Sequence, residues 1–175
     1  GTTTVANAAS LTVTAINDAP TSSPVTLAPI AEDSGAHLIT QAALLANASD
    51  VDGDVLTAGN LQISAGNGSL IDNGDGTWTY MPTANDDTAV SFSYTITDNG
   101  TSNGAADPKS IAATANLDLI PVNDAPVSAN GILNLAEDTP TSGQLPVASD
   151  AEGDPIVYAL AAPASHGSVT VNADG

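Results

Sequence analysis

Four short motifs occur twice in this 175-residue chain, in the same order and roughly 100 residues apart. The first is Asn-Asp-Ala-Pro, at residues 17–20 and again at 123–126. An Ala-Glu-Asp segment, an Ala-Ser-Asp-x-x-Gly-Asp segment and a Gly-Ser to Asp-Gly hairpin sequence follow each copy. Recurrence of this kind indicates a tandem-repeat protein, in which each unit contacts mainly its neighbours.

The positions of the motifs predict three segments. Residues 1–16 are predicted to be the last strand of a preceding repeat, residues 17–122 a complete repeat, and residues 123–175 the N-terminal half of a following repeat, cut at a turn. The chain begins with neither Met nor a basic stretch, so we expect it to be a fragment of a longer protein. The half repeat lacks the later strands that carry most of the aromatic core, and we predict that it cannot close a sandwich by itself.

Within the complete repeat, apolar and polar residues alternate with period two, which is the pattern of half-buried strands. Trp78 and Tyr80 alternate with threonines, and Phe92, Tyr94 and Ile96 alternate with serine and threonine. These aromatic side chains could form a platform for stacking sugars, but their alternate spacing favours inward packing in a core.

Two stretches interrupt the strand pattern. Asp75-Gly76 predicts a tight hairpin turn, because glycine readily adopts the positive φ that such a reversal needs. The stretch Thr40 to Leu45 could carry a helical turn, which Asn47 would end. Seven or so short strands in about 100 residues predict an all-β fold: tandem antiparallel β-sandwich repeats of the immunoglobulin-like, Greek-key class.

The charge of the chain is one-sided, with 20 acidic residues, one basic residue (Lys109) and a formal net charge of −19. Nucleic acid and anionic membranes are excluded as partners, because both require Lys and Arg. No apolar run approaches the roughly 18 residues of a membrane span, so no membrane insertion is expected. Without cysteine, neither a disulfide nor a thiolate metal site can form. Such a charge destabilises the compact state unless cations lie among the carboxylates.

The acidic residues are concentrated at predicted strand ends, which favours a calcium site. Ca²⁺ takes six to eight oxygen ligands from carboxylates, amide oxygens and backbone carbonyls. Asp50, Asp52 and Asp54 lie within five residues, and Gly53 lets the backbone bend around an ion. A single segment of this kind is also typical of a polar turn without any ion, but its recurrence at 150–154 favours calcium. The clusters are Asn17-Asp18, Glu32-Asp33, Asp50/Asp52/Asp54, Asp98-Asn99 and Asn123-Asp124.

The order of these motifs resembles that of the cadherin repeat. Cadherin repeats end on a strand, continue through an Asp-x-Asn-Asp-Asn-Ala-Pro linker and an acidic Pro-Glu-Asn segment, and then reach Ala-x-Asp-x-Asp-x-Gly. The corresponding blocks here are residues 119–126, 135–138 and 148–153, and the same blocks occur around Asn17, Glu32 and Asp50. The Asn-Asp-Ala-Pro linkers and the Val-Asn-Ala-Asp-Gly turn are most similar to the cadherin-like and VCBS-type repeats of large, type I-secreted (RTX) bacterial adhesins.

The resemblance implies calcium ligands at the junctions between repeats. For the junction after the complete repeat, the implied set is Glu32 and Asp98 from its base, Asn123 and Asp124 from the linker, and Asp150 and Glu152 from the next repeat. For the preceding junction, the implied set is Asn17, Asp18, Asp50 and Asp52, with Asp33 and Asp54 as alternates. Glu137 is the equivalent of Glu32 in the third segment. The linker is one residue shorter than in cadherins and Pro121 replaces its first aspartate, which implies fewer ions per junction.

The same resemblance implies that these repeats are calcium-binding extenders in the stalk of a secreted bacterial surface adhesin, where they support cell adhesion or biofilm formation. The implied partners are the neighbouring repeats, and another cell surface through a distant tip domain. Two alternatives remain open, a glycan- or protein-binding module and a spacer in a secreted hydrolase. The longest candidate binding loop, residues 98–109, contains no aromatic residue, which favours the extender.

No enzymatic activity is expected from this sequence. A Gly-x-Ser-x-Gly elbow is absent, and a Ser/His/Asp triad is recognised by geometry that sequence alone does not give. His37 and His166 have no Cys or second His nearby, which argues against zinc. Asp72, Asn73 and Asp75 are interpreted as hairpin-turn residues rather than metal ligands.

Overall fold

The computed structural model describes Thr2 and residues 9–175 and divides the chain into two compact units, Gly1–Ile120 and Pro121–Gly175. Residues 1 and 3–8 of the first predicted segment lie outside the described residues. No strand forms in the described residues 9–16, where Leu11 and Val13 are 90% and 83% exposed. The division into a preceding strand, a complete repeat and a half repeat stays a prediction.

The described residues of the first unit form thirteen strands and one short helix. In chain order these are β1 Thr21–Ser22, β2 Val25–Thr26, β3 Ile30–Ala31, β4 His37–Thr40, α1 Gln41–Leu44, β5 Ala48–Ser49, β6 Thr57–Ala65, β7 Ser69–Asp72, β8 Thr77–Met81, β9 Val90–Thr97, β10 Thr101–Ser102, β11 Ala105–Ala106, β12 Ser110–Leu117 and β13 Leu119–Ile120.

Seven of these strands make the two main sheets. One sheet has the order β2-β12-β9-β6 and the other the order β4-β8-β7. All neighbours are antiparallel except β2, which runs parallel to β12. Three further pairs, β1-β5, β10-β11 and β13-β3, extend the fold at its edges. The predicted all-β, immunoglobulin-like sandwich is confirmed.

The alternating residues of β8 and β9 fill the core between the sheets. Trp78, Tyr80, Phe92, Tyr94 and Ile96 are all buried, as the period-two pattern predicts. The rings of Tyr80 and Phe92 meet edge to face, with centroids 5.5 Å apart and planes at 88°. The hydroxyl of Tyr94 donates to the carbonyl of Leu44 at 2.6 Å, so this buried polar group has a partner.

Both predicted interruptions of the strands are present. Helix α1 is a single turn whose N-cap is Thr40, the hydroxyl of which accepts a hydrogen bond from the Ala43 N–H at 3.2 Å. The β7-β8 hairpin turns through residues 73–76, where the Asp72 carboxylate accepts the Gly74 N–H at 2.8 Å and the Asp75 carboxylate accepts the Thr77 N–H at 3.1 Å. These bonds account for the turn without an ion.

Strand direction decides which acidic residues lie at which end of the sandwich. Asp98 follows the end of β9 at Thr97, which pairs with Ser110 of β12. Strand β12 then runs back to Leu117 beside Val90, and β13 pairs with β3 just before Glu32. Since β9 has 8 residues, these two ends are roughly 23 Å apart at about 3.3 Å per residue. Asp98 and Glu32 therefore lie at opposite ends.

The second unit has little regular structure. An isolated antiparallel bridge joins Val127 to Ser149. Residues 121–175 are all described, and none of them is buried. Ile132 and Val147 are 89% and 87% exposed. The Tyr158 hydroxyl supplies two local bonds, donating to the Pro146 carbonyl at 2.9 Å and accepting the Ala148 N–H at 2.7 Å. Such a unit has turns and local contacts but no packed core.

We predict that backbone amides exchange slowly in the strands between Leu61 and Leu119 and rapidly beyond Pro126. Protection depends on buried hydrogen-bonded structure, which the second unit has little of. Hydrogen exchange on the 175-residue chain, in a species that light scattering shows to be monomeric, measures this. Protection at Val169 as strong as that at Tyr94 would contradict the prediction.

Candidate metal centre

A tight turn between β5 and β6 gathers three carboxylates. The Asp50 Oδ1 accepts hydrogen bonds from the backbone N–H of Asp52 at 2.8 Å and of Asp54 at 3.4 Å. Gly53 has φ +79°, a conformation that side-chain-bearing residues rarely adopt. Asp50, Asp52 and Asp54 thereby each offer an oxygen, and these oxygens all lie within 4.8 Å of one another. One carboxylate organises the turn, and the turn brings the other two beside it.

The first Asn-Asp-Ala-Pro motif contacts this turn. The backbone N–H of Asp18 donates to Asp52 Oδ2 at 2.8 Å. The preceding residue, Asn17, is only 5% exposed. Its side-chain Nδ2 donates to Asp98 Oδ1 at 3.0 Å and to the Asp107 carbonyl at 2.9 Å. Both amide hydrogens are therefore used, which fixes the position of the Asn17 Oδ1.

Asp98, at the end of β9, completes the group. Its Oδ1 accepts three hydrogen bonds, from Asn17 Nδ2 at 3.0 Å, the Gly100 N–H at 3.0 Å and the Lys109 N–H at 2.9 Å. Burial by itself would raise the pKa of Asp98, but these bonds and the Lys109 charge outweigh it and lower the pKa. The stability that Asp98 contributes is thus present above the ordinary carboxyl pKa and is lost as the pH falls through its lowered value.

Four side-chain oxygens of this group are buried and accept no hydrogen bond from any residue that the structure describes. They are Oδ1 of Asn17 and Oδ2 of Asp50, Asp54 and Asp98. A buried polar atom without a partner loses its hydration without compensation, and the loss is larger when the atom is charged. Three carboxylates and one amide are the hard oxygen donors that Ca²⁺ takes. The donor types therefore fit a calcium ion, and Asp50, Asp52 and Asp54 offer oxygens that lie within 4.8 Å of one another.

The raised pKa of Asp54 also fits a cation site. Its pKa is raised, first by burial and then by the charges of Asp50, Asp52 and Asp98. Because the charge of Asp98 contributes to the raised pKa of Asp54, Asp98 also repels the carboxylates of the turn. In this group the carboxylates repel one another, and a divalent cation would turn that repulsion into attraction.

The structure corrects one sequence-based grouping. Asp98 was expected at the base of the repeat together with Glu32, but it lies beside Asn17 at the other end. The reason is that β9 pairs antiparallel with β6, and Thr97 faces Thr57, which follows the Asp50–Asp54 turn. The pairing of the two predicted strands is the signal that could have revealed it.

Glu32 lies at the base as predicted and is 3% exposed. Its backbone N–H donates to the Ile120 carbonyl at 3.0 Å. Together with Asp33, Met81 and Pro82 it lines a small surface pocket. Its role as a calcium ligand stays a prediction.

The second unit forms the same turn. Asp150 Oδ1 accepts the backbone N–H of Glu152 at 3.1 Å and of Asp154 at 3.0 Å, and the Asp124 N–H donates to Glu152 Oε2 at 3.0 Å. These bonds match those around Asp50 in the first unit one for one. Asn123 Nδ2 donates to the Asp124 carbonyl at 3.1 Å, and Glu137 lies in an exposed turn. The predicted roles of Asn123 and Glu137 as ligands stay untested.

Comparison with known families gives two matches. The family described as "Cadherin-like domain" matches residues 16–116, which is more than half of the chain. The family described as "Bacterial Ig domain" matches residues 123–175. Domains of both kinds are typical of extracellular or cell-surface proteins. No curated protein matches the chain significantly.

Solved structures with some likeness to the chain include two hydrolases and a cadherin. "Endo-fucoidan hydrolase MfFcnA4 from glycoside hydrolase family 107" is 24% identical with a TM-score of 0.37, over 78% of this chain and 20% of that chain. MfFcnA9 of the same family is 25% identical with a TM-score of 0.33, over 58% of this chain and 16% of that chain. The Protocadherin GammaB4 extracellular domain is 16% identical with a TM-score of 0.38, over 76% of this chain and 24% of that chain. The chain thus spans a quarter or less of these proteins, and at such scores the likeness carries no argument about activity.

Among the described residues, no helix has the length and apolarity needed to cross a membrane.

We predict that Asp54→Asn lowers the thermal midpoint of the first unit in calcium but not in chelator. In chelator, it removes a carboxylate that its neighbours repel, so the thermal midpoint of the first unit is expected to stay the same or rise. In calcium, it removes a ligand, so the midpoint is expected to fall below that of the wild type. Differential scanning calorimetry measures both.

Asp87→Asn is the matched control, because Asp87 lies in an exposed loop and should change neither midpoint. An Asp54→Asn variant whose midpoint falls equally in chelator and in calcium would show that Asp54 serves the fold and not a cation.

Proposed function

Because the chain belongs to the cadherin-like domain family, we propose that it is a calcium-binding extender segment in the stalk of a secreted bacterial surface adhesin of the RTX class. The observation that carries the proposal is the set of four buried oxygens from Asn17, Asp50, Asp54 and Asp98 that lack hydrogen-bond donors among the described residues. The RTX assignment rests on the resemblance of the Asn-Asp-Ala-Pro linkers and the Val-Asn-Ala-Asp-Gly turn.

The proposed ion joins the linker to the body of the repeat. Asn17 and Asp18 belong to the linker, whereas Asp50, Asp54 and Asp98 belong to the loops at one end of the sandwich. An ion that takes oxygens from both groups ties the incoming chain to the repeat. In an array of such repeats, a ligated linker makes a rod and an unligated linker a flexible string.

An extender needs stability outside the cell without disulfides, since the chain has no cysteine. In this proposal bound calcium supplies that stability. Extracellular calcium-binding modules bind the ion with a Kd of about 10⁻⁴ to 10⁻³ M. The array is then rigid only where calcium is plentiful. Its partners are the neighbouring repeats of the same chain and, through a distant tip domain, another cell surface. The segment itself has a mechanical role and no catalytic one.

We predict that calcium binds the wild-type chain with a Kd of about 10⁻⁴ to 10⁻³ M. At about ten times the Kd, binding stabilises the first unit by roughly 1.4 kcal/mol. Calorimetry measures the Kd. Fluorescence of Trp78, the one tryptophan of the chain and buried in the first unit, follows the unfolding of that unit alone. An unchanged melting temperature in calcium and in chelator would contradict the proposal.

Asp98→Asn sharpens this test, because it removes a ligand charge and preserves the size of the side chain. We expect the Kd to rise at least about tenfold, since affinity depends on the number of ligand charges. Asp118→Asn is the matched control, because Asp118 lies exposed between β12 and β13. Equal effects of the two substitutions on the Kd would indicate that only the net charge matters and that no ion binds at Asp98.

A further inference from the structure

The segment between β9 and β12 is folded back on the linker. Residues 99–109, here called the linker hairpin, contain the paired strands β10 and β11. The Ser102 Oγ accepts the backbone N–H of Asn17 at 2.9 Å. The Asn103 N–H donates to the carbonyl of Ala15 at 3.1 Å. Asn17 of the linker and Ala15, which lies two residues before it, are thus bonded to two adjacent residues of the hairpin.

A chain of side-chain bonds holds Ser102 in place. The Ser102 hydroxyl donates to Asp107 Oδ2 at 2.7 Å, and Asp107 Oδ1 accepts from Lys109 Nζ at 2.8 Å. Because the hydroxyl hydrogen is committed to Asp107, a lone pair of Ser102 Oγ is left for the Asn17 N–H. The single basic residue of the chain is therefore used to anchor Asp107, and through it the contact with Asn17.

The side chain of Asn17 packs closely against the hairpin. Its Nδ2 donates to the Asp107 carbonyl at 2.9 Å. A Cβ added at Gly100 would overlap the Oδ1, Cγ and Nδ2 atoms of Asn17. The hairpin thus has space for the Asn17 amide only because residue 100 is glycine. The hydrogen bond from its backbone to Ser102, the hydrogen bond from its side chain to Asp107 and this close fit all act on Asn17.

We propose that the linker hairpin is a calcium-independent latch, which holds residues 15–17 against the repeat and presents Asn17 Oδ1 to the cation. Protein groups hold Asn17 at four points: Ser102 Oγ, the Asp107 carbonyl, Asp98 Oδ1 and the close approach of Gly100. The latch therefore needs no ion to close. The role of Asn17 Oδ1 as a ligand rests on the proposed function, whereas the docking of the linker does not.

The latch has a consequence for affinity. A cation that must order a free linker loses part of its binding free energy to conformational entropy. With Asn17 already placed, the ion meets a preorganised set of oxygens. Ser102, Asp107 and Lys109 act as positioning residues in this arrangement, because none of them offers an oxygen to the ion. Their effect on calcium passes through Asn17.

Ser102→Ala tests the proposal, with Ser102→Thr as the variant that retains the hydroxyl. The readout is exchange of the Asn103 N–H in chelator, because its acceptor, the Ala15 carbonyl, belongs to the segment 15–17 that the latch holds. We expect slow exchange in the wild type and in Ser102→Thr, and at least about tenfold faster exchange in Ser102→Ala. The calcium Kd of Ser102→Ala should rise about fivefold, as expected for the loss of one hydrogen bond.

Ser91→Ala is the matched control, because its hydroxyl bonds to Asn116 Oδ1 at 2.9 Å at the far end of β9. It should change neither readout, and slow exchange at Phe92 verifies that each variant is folded. Fast Asn103 exchange in wild-type protein in chelator, with calcium binding intact, would overturn the latch alone. Slow Asn103 exchange without any calcium binding would overturn the proposed function and, with it, the effect of the latch on affinity.

Discussion

Repulsion among carboxylates at one end of the sandwich is the constraint on which the rest of this repeat depends. Asp50, Asp52 and Asp54 lie together in one turn, and Asp98 adds its charge to theirs. Hydrogen bonds from backbone amides stabilise one oxygen of Asp50 and one of Asp98, but leave the second oxygen of each buried without a donor among the described residues. The fold arranges the charges, and a cation is what would neutralise them.

The topology of the sandwich brings these residues together from three distant parts of the chain. Strands β6 and β9 are antiparallel neighbours, so the turn before β6 meets the residue after β9. The hydrophobic core packs both strands together, with Ala58 and Leu61 from β6 and Phe92 from β9. Asn17 is held at the same end by hydrogen bonds to Ser102 and Asp107 of the linker hairpin. The paired strands and the docked linker therefore bring Asn17, Asp54 and Asp98 to the same end of the sandwich.

Local features of this protein could be predicted from its sequence, whereas contacts between distant segments could not. Alternation gave the buried face of β9, and Thr40 and Asp75 marked a helical turn and a hairpin, because each depends on a few neighbouring residues. The Asp50 turn is equally local, and the second unit repeats it around Asp150 without a buried core. The position of Asp98 depends instead on which strands pair. The bond between Asn17 and Ser102 joins residues that no local pattern connects.

The most direct test of calcium binding at this site is a crystal structure of the chain grown in calcium, with anomalous diffraction collected at a wavelength where calcium scatters. Calcium bound at the proposed site would give an anomalous peak about 2.3–2.6 Å from Asn17 Oδ1 and from carboxylate oxygens of Asp50, Asp54 and Asp98. Water molecules at these four oxygens in a fully folded first unit, or an ion at the Asp72–Asp75 hairpin in their place, would contradict it.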